Sequence, residues 1–228
     1  MTTTTLVSVS VSVVITAVIA MVVFYATKQS PKVTPQFYEN FEGIPASAQL
    51  ISEAASCVYI QSGEMNKKVW SDQRMISAIK KAGVNRKVKF RFIFGPHMDV
   101  RNVSFIKTFY NAPYVEFRRA KERATTHYTV VDREYIQIES EHAPFSPDRK
   151  SMIVCSKLAE KYAVSFEKAW GKSEEVALED LVATAESVSA KDLKNSSFAF
   201  IKPKDNSNGT IEPATTSEIG QLKQLITK

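Results

Sequence analysis

Side chains able to do chemistry gather between Thr125 and His142, in the run Thr-Thr-His-Tyr-Thr-Val-Val-Asp-Arg-Glu-Tyr-Ile-Gln-Ile-Glu-Ser-Glu-His. Two of the chain's three histidines, His127 and His142, lie here beside Thr125, Glu139 and Ser140. An imidazole can serve as nucleophile, as base or, once protonated, as an anion ligand. A carboxylate such as Glu139 can hold either imidazole protonated, and two histidines with a glutamate could also ligate a divalent metal. Because a His-Glu pair more often fixes a hairpin by hydrogen bonding, neither a metal nor another cofactor is expected. A threonine hydroxyl is a poor nucleophile without an adjacent base. His127, two residues beyond Thr125 on the same strand face, could be that base or could itself attack.

These residues need a scaffold, and the surrounding pattern supplies one. His127 to Val131 and Tyr135 to Ile138 are β-rich runs flanking a polar turn at Asp132-Arg133-Glu134, which reads as a hairpin. Upstream, Ala46 to Ala55 reads as a helix, Cys57 to Gln61 as a strand and Val69 to Ala82 as an amphipathic helix. Val88 to Phe94 is a strand closed by Gly95-Pro96, followed by a helix over Asn102 to Tyr110 and a strand over Val115 to Arg119. Downstream come a strand at Ser151 to Ser156 and a helix from Lys157 to Lys172, with Leu158, Tyr162, Phe166 and Trp170 every fourth residue on one stripe. Strands alternating with helices predict an α/β/α sandwich around a mixed sheet. Ser62-Gly63-Glu64 and Gly95-Pro96-His97-Met98-Asp99 both follow strands, where ligands of α/β sheets commonly sit.

The charge pattern narrows the partners. The net charge of +6 and pI near 9.2 permit anionic lipid headgroups or nucleic acid and require neither. Between Arg86 and Arg123 there are ten Lys or Arg and three acids. Lys87, Lys89 and Arg91 alternate with Val88, Phe90 and Phe92, so the basic side chains share one face. A solvated edge strand guarded by its lysines is favoured over a phosphate-contacting surface. Arg118, Arg119, Lys121 and Arg123 lead into the hairpin, and Arg119 and Arg123 join Thr125 and Ser140 as expected phosphate contacts. Aromatic interleaving suited to base stacking is missing, which weakens a nucleic-acid reading. Cys57 and Cys155 sit in apolar β-like runs and read as free thiols; no Cys/His spacing suggests zinc.

Five segments are expected: a stub at 1–5, a transmembrane helix at 6–27, a juxtamembrane linker at 28–45, a domain at 46–174, and an acidic helical extension with a polar tail at 175–228. Leu6 to Tyr25 is twenty uncharged residues, about 30 Å as a helix and therefore one bilayer crossing. Its twelve Leu, Ile, Val and Phe residues outweigh the serines, and a lone strand in lipid would leave its backbone unpaired. A cleaved signal peptide is disfavoured, since no positive charge precedes the run in the sequence and no Ala-x-Ala site ends it. Lys28 and Lys32 follow directly, so the positive-inside bias places the C-terminal domain in the cytoplasm. Ile219 to Ile226 could form a short amphipathic helix, too short to be stable alone.

The element order and the hairpin's spacing together resemble one half of the phospholipase D superfamily fold, over about Phe37 to Ser173. That family's motif has a nucleophilic His, a Lys two positions on, an Asp five positions further at a hairpin turn, and Gly-Ser-x-Asn seven positions beyond the Asp. With Asp132 on the turn, Thr125 falls on the nucleophile, His127 on the lysine, and Glu139-Ser140-Glu141-His142 on Gly-Ser-x-Asn. Asp132 and Ser140 match; Thr125, His127, Glu139 and His142 depart. Phe166-Glu167-Lys168-Ala169-Trp170 is similar to the family's closing helix.

The resemblance implies a site at the hairpin, oriented by Asp132 and Glu139 and completed by a second motif copy through a homodimer. The departures imply a degenerate pocket binding a phosphate-bearing ligand or a protein partner without the family's usual catalysis. The enzymatic alternative is a divergent phosphodiesterase acting on nucleic acid or phospholipid, with His127 attacking and His142 donating a proton. The remaining alternative is a purely structural or interaction module.

Overall fold

The computed structural model describes residues 34–39, 41–63, 65–95, 102–122, 124, 126–139, 150–183 and 216–227. Residues 35–228 form one compact unit. The expected membrane span, Leu6 to Tyr25, lies outside the described residues; among those described, no helix is long and apolar enough to cross a membrane.

Eight strands form one mixed sheet: β1 (Gln36–Glu39), β2 (Cys57–Ser62), β3 (Lys89–Phe94), β4 (Val115–Arg119), β5 (His127–Val131), β6 (Tyr135–Glu139), β7 (Lys150–Cys155) and β8 (Glu174–Glu175), in the order β1-β7-β6-β5-β2-β3-β4-β8. β2, β3 and β4 run parallel, each reached through a helical crossover, and the remaining pairs are antiparallel. The helices are α1 (Ile44–Glu53), α2 (Lys67–Trp70), α3 (Gln73–Lys80), α4 (Val103–Phe109), α5 (Lys157–Lys172), α6 (178–183) and α7 (Thr216–Ile226).

Strand alternation sends side chains to two cores. Val58, Ile60, Phe90, Phe92, Phe94 and Val131 pack with apolar residues of α1, α3 and α4, while Tyr59, Ile93, Tyr128, Val130 and Ile136 pack under α5. The expected mixed-sheet sandwich is therefore present, with helices on both faces.

Several expectations require correction. β1 comes from the segment read as linker, because Gln36 to Glu39 pair with Ile153 to Lys150 of β7, a long-range partner no local pattern announces. The basic strand β3 is interior, lying between β2 and β4, so it is not the expected edge. The helix expected over Val69 to Ala82 is broken at Ser71-Asp72. Asn66 and Asp72 side chains accept the amide protons of Lys68 and Arg74, starting two separate helices. Lys81–Asn85 then widens into a π-helical turn, where Gly83 admits the Tyr114 ring; a Cβ there would lie 2.1 Å from Tyr114 Cδ2.

On α5 the deepest residues are Ala159, Ala163 and Phe166. A strict four-residue stripe drifts around a 3.6-residue helix, so Tyr162, Phe166 and Trp170 pack in the core beneath α5 while Leu158 is only half-buried, and the alanines let the helix sit close. The acidic segment opens as strand β8, and Leu178, Leu181 and Val182 of α6 join the larger core. The fold thus overruns the expected 46–174 boundaries at both ends. α7 is longer than expected and lies beside α4.

The β5–β6 hairpin is fixed at its turn. Asp132 and Arg133 both have positive φ, 53° and 61°, the sign pattern of a primed turn whose twist suits a hairpin. Asp132 tolerates that conformation readily and accepts protons from the amides of Ala55, Ser56 and Cys57 at 2.7, 2.7 and 3.1 Å and from the Ser56 hydroxyl at 2.8 Å. Arg133 grips Glu160 through two bonds of 2.8 and 3.0 Å and reaches Glu167 at 3.1 Å, tying the turn to α5.

Candidate functional site

His127 begins β5 at the opposite end of the hairpin from Asp132, level with the carboxyl ends of the parallel strands β2 and β3. It is 7% exposed. Register makes Glu139 its direct cross-strand neighbour, and Glu139 Oε2 stands 3.7 Å from His127 Nδ1. That separation is too long for a direct hydrogen bond between these two atoms.

The other ring edge rests on Gly63, which follows β2. A Cβ at Gly63 would lie 2.6 Å from His127 Nε2 and 2.9 Å from Cε1, so the absence of a side chain is what seats the imidazole. Gly95, just past β3, donates its amide to Gly63 O at 2.7 Å, and a Cβ there would meet the same oxygen at 2.9 Å. Two bare backbones therefore close together at the strand ends beside His127. No glycine among those described has positive φ, so close approach is the requirement here.

A depression of about 300 Å³, counting its open mouth, adjoins His127 and is lined also by Gln61, Ser62, Thr129, Gln137 and Glu139. Tyr128, between His127 and Thr129 but on the opposite sheet face, donates to Gln61 Oε1 at 2.8 Å. Burial first, and the neighbouring Tyr162 second, push its ionisation well above the ordinary tyrosine range, so it stays a neutral donor.

Among the sequence-predicted residues, the structure brings together His127 and Glu139. Asp132 sits at the far end of the same hairpin, where its bonds hold the start of β2. Thr125, Arg123, Ser140 and His142 lie outside the described residues. Arg119 is not brought to His127: strands β2 and β3 stand between them, three strand spacings or about 14 Å. Its guanidinium lies instead 3.8 Å from both Glu174 and Asp180. Sequence order suggested proximity, whereas strand order decides it.

Of the other basic residues, Arg91 and Arg118 flank the Trp170 ring at 5.2 and 4.7 Å, and each also reaches a carboxylate, Glu116 or Glu175, at 3.5 Å. Cys57 and Cys155 are free thiols and half-buried. Among the described residues no cluster of His, Cys, Asp or Glu has the makings of a metal site.

Sequence reasoning flagged the Ser62-Gly63 turn as a ligand-prone strand end but missed Thr129 and Gln137. The period-two rule could have found both, since each lies two residues inward from His127 or Glu139 on the same face.

No protein-family model matches the chain, and no curated protein matches it. Solved structures do. Nuc from Salmonella typhimurium, a phospholipase D family member, aligns with a TM-score of 0.50 and 12% identity over 63% of this chain and 97% of its own. NucT from Helicobacter pylori aligns at 0.51 and 12% over 63% of this chain and 99% of its own. TrmBL2, an archaeal chromatin protein, aligns at 0.49 and 15% over 75% of this chain, which spans 65% of that protein. At such identities the likeness concerns the fold alone, and the fold is phospholipase D-like.

Proposed function

We propose that this chain is a degenerate phospholipase D-like half-domain that binds a phosphate-bearing ligand beside His127 without the family's usual catalysis. The observation that carries the reading is the seating of His127. It stands where the family resemblance puts a lysine, buried at the parallel strand ends beside an open depression, with Glu139 against Nδ1. An imidazole N–H with the Ser62 hydroxyl offers donors to one phosphoryl group. A carboxylate so close disfavours a highly charged anion, so a singly charged phosphodiester, in a phospholipid headgroup or a nucleic-acid backbone, fits better than a phosphate monoester.

One observation favours the divergent phosphodiesterase as a second reading: Glu139 lies on the Nδ1 side of His127 at 3.7 Å, from which a small approach on ligand binding would orient the ring for attack or base catalysis. His142 would then supply the leaving-group proton. In either reading the anchor at Leu6 to Tyr25 would hold the domain at the cytoplasmic membrane surface, and homodimerisation would pair two half-sites.

The test is a phosphodiesterase assay with bis(p-nitrophenyl) phosphate on detergent-solubilised full-length protein, alongside calorimetric titration with diethyl phosphate. Binding without turnover, abolished by His127→Ala in a protein that still melts cooperatively, is the expected result. Turnover that disappears in His127→Ala or His142→Ala would establish the enzymatic reading instead. Neither binding nor turnover would leave an interaction module.

A further inference from the structure

The polar groups on the α1-facing side of the hairpin do not stop at the proposed phosphate position. Register aligns His127 with Glu139, Glu139 with Ser151, and Ser151 with Tyr38, so one polar row crosses β5, β6, β7 and β1. A second row begins beside it with Thr129 opposite Gln137. Three of these side chains, His127, Thr129 and Ser151, are at most 9% exposed, as is Ser47 of α1 opposite them.

A second depression, about 450 Å³ with its open mouth, continues the first along these rows, and the two share Val69, Trp70, Thr129, Gln137 and Glu139. Its floor is Ser47, Gln137, Glu139 and Ser151, and Phe41 and Trp70 form part of its wall. Ser47 Oγ lies 2.8 Å from Gly43 O and 2.7 Å from the Gln137 amide oxygen, so its single proton is already engaged and it ties the Gln137 amide to α1.

We infer that this second depression is a subsite for a hydroxyl-rich group, and that the ligand of the proposed phosphate site is a phosphodiester of a polyol. The inference rests on that site. The Glu139 carboxylate, the Gln137 amide and the Ser151 hydroxyl beside aromatic walls suit vicinal hydroxyls, which both donate and accept, and whose C–H faces pack on rings. Glu139 fixes the ligand's direction: the phosphate sits on the His127 and Ser62 side, and the neutral polyol extends over Glu139 towards Ser151. From β5 to β7 is two strand spacings, about 10 Å, the length of a phosphoryl group joined to a six-membered ring. A quaternary ammonium headgroup would meet Glu139 but leave the Gln137 amide and the Ser151 hydroxyl unused.

The experiment titrates full-length protein with diethyl phosphate, glycerophosphoinositol and glycerophosphocholine by calorimetry. Glycerophosphoinositol is expected to bind at least tenfold more tightly than either other probe. Gln137→Ala and, separately, Ser151→Ala should shrink that ratio towards one, with thermal melts reporting on folding. Equal affinities for all three probes, or a preference for glycerophosphocholine, would overturn the polyol subsite while leaving the phosphate site standing. Failure of every probe to bind would overturn both.

Discussion

Asp132 holds a hairpin in place with a carboxylate that no ligand is needed to explain. Its oxygens take three amide protons and one hydroxyl proton from Ala55 to Cys57, at the start of the strand whose far end carries Ser62 and Gly63. Hydrogen bonds to a charged group each contribute about 1.5–3 kcal/mol, and these four share one carboxylate, so they do not add fully. Asp132→Ala should cost about 2–4 kcal/mol in urea unfolding, the more so because alanine is strained at φ of 53°. Asp132→Asn, comfortable in that conformation and still an acceptor, should cost clearly less. Equal losses for the two variants would show that backbone strain and acceptor strength matter little here. His127 differs: Gly63 seats it and Glu139 faces it beside an open depression, which is the geometry on which the proposed ligand site rests.

At the scale of elements, α5 is what clamps the hairpin to the sheet. Phe166 is fully buried, stacked on Tyr59 at a centroid distance of 4.8 Å and on Trp170 at 5.7 Å. Truncating it to alanine opens a cavity under the helix and should cost about 3–5 kcal/mol, read from the shift in denaturation midpoint. Arg133→Ala should cost at most about 1 kcal/mol, because its ion pairs with Glu160 and Glu167 are exposed at 54% and 42% on the acidic side. A larger loss from Arg133→Ala than from Phe166→Ala would show that ion pairing, and not packing, holds α5.

For the whole molecule, the buried tyrosines set an alkaline limit. Burial pushes Tyr59 up to about 12, aided by Cys57 and Glu167 and opposed by Arg133, and pushes Tyr128 higher still. A raised value means the fold prefers the neutral phenol. Its contribution is therefore complete below the unfolded tyrosine range near 10 and is lost as pH rises from there towards about 12. Circular dichroism through that window should show the wild type losing stability before Tyr59→Phe does. Coincident alkaline transitions would rule Tyr59 out as a cause.

The sequence by itself determined the local elements and their order. Period-two runs marked six strands of the sheet, the Asp132 turn marked the hairpin, and the element order with the spacing from Asp132 marked a phospholipase D-like fold, because such signals depend on neighbours along the chain. That His127 and Glu139 meet was legible for the same reason: they close the two arms of one hairpin. Only the tertiary structure decided what lies beside them. Strand order separated Arg119 from His127, placed β3 inside the sheet and drew β1 from an apparent linker. Gly63 became a seat for His127, and Ser47, Gln137 and Ser151 met across α1, β6 and β7. Those neighbours are tens of residues apart in sequence, and long-range pairing leaves no mark on local periodicity.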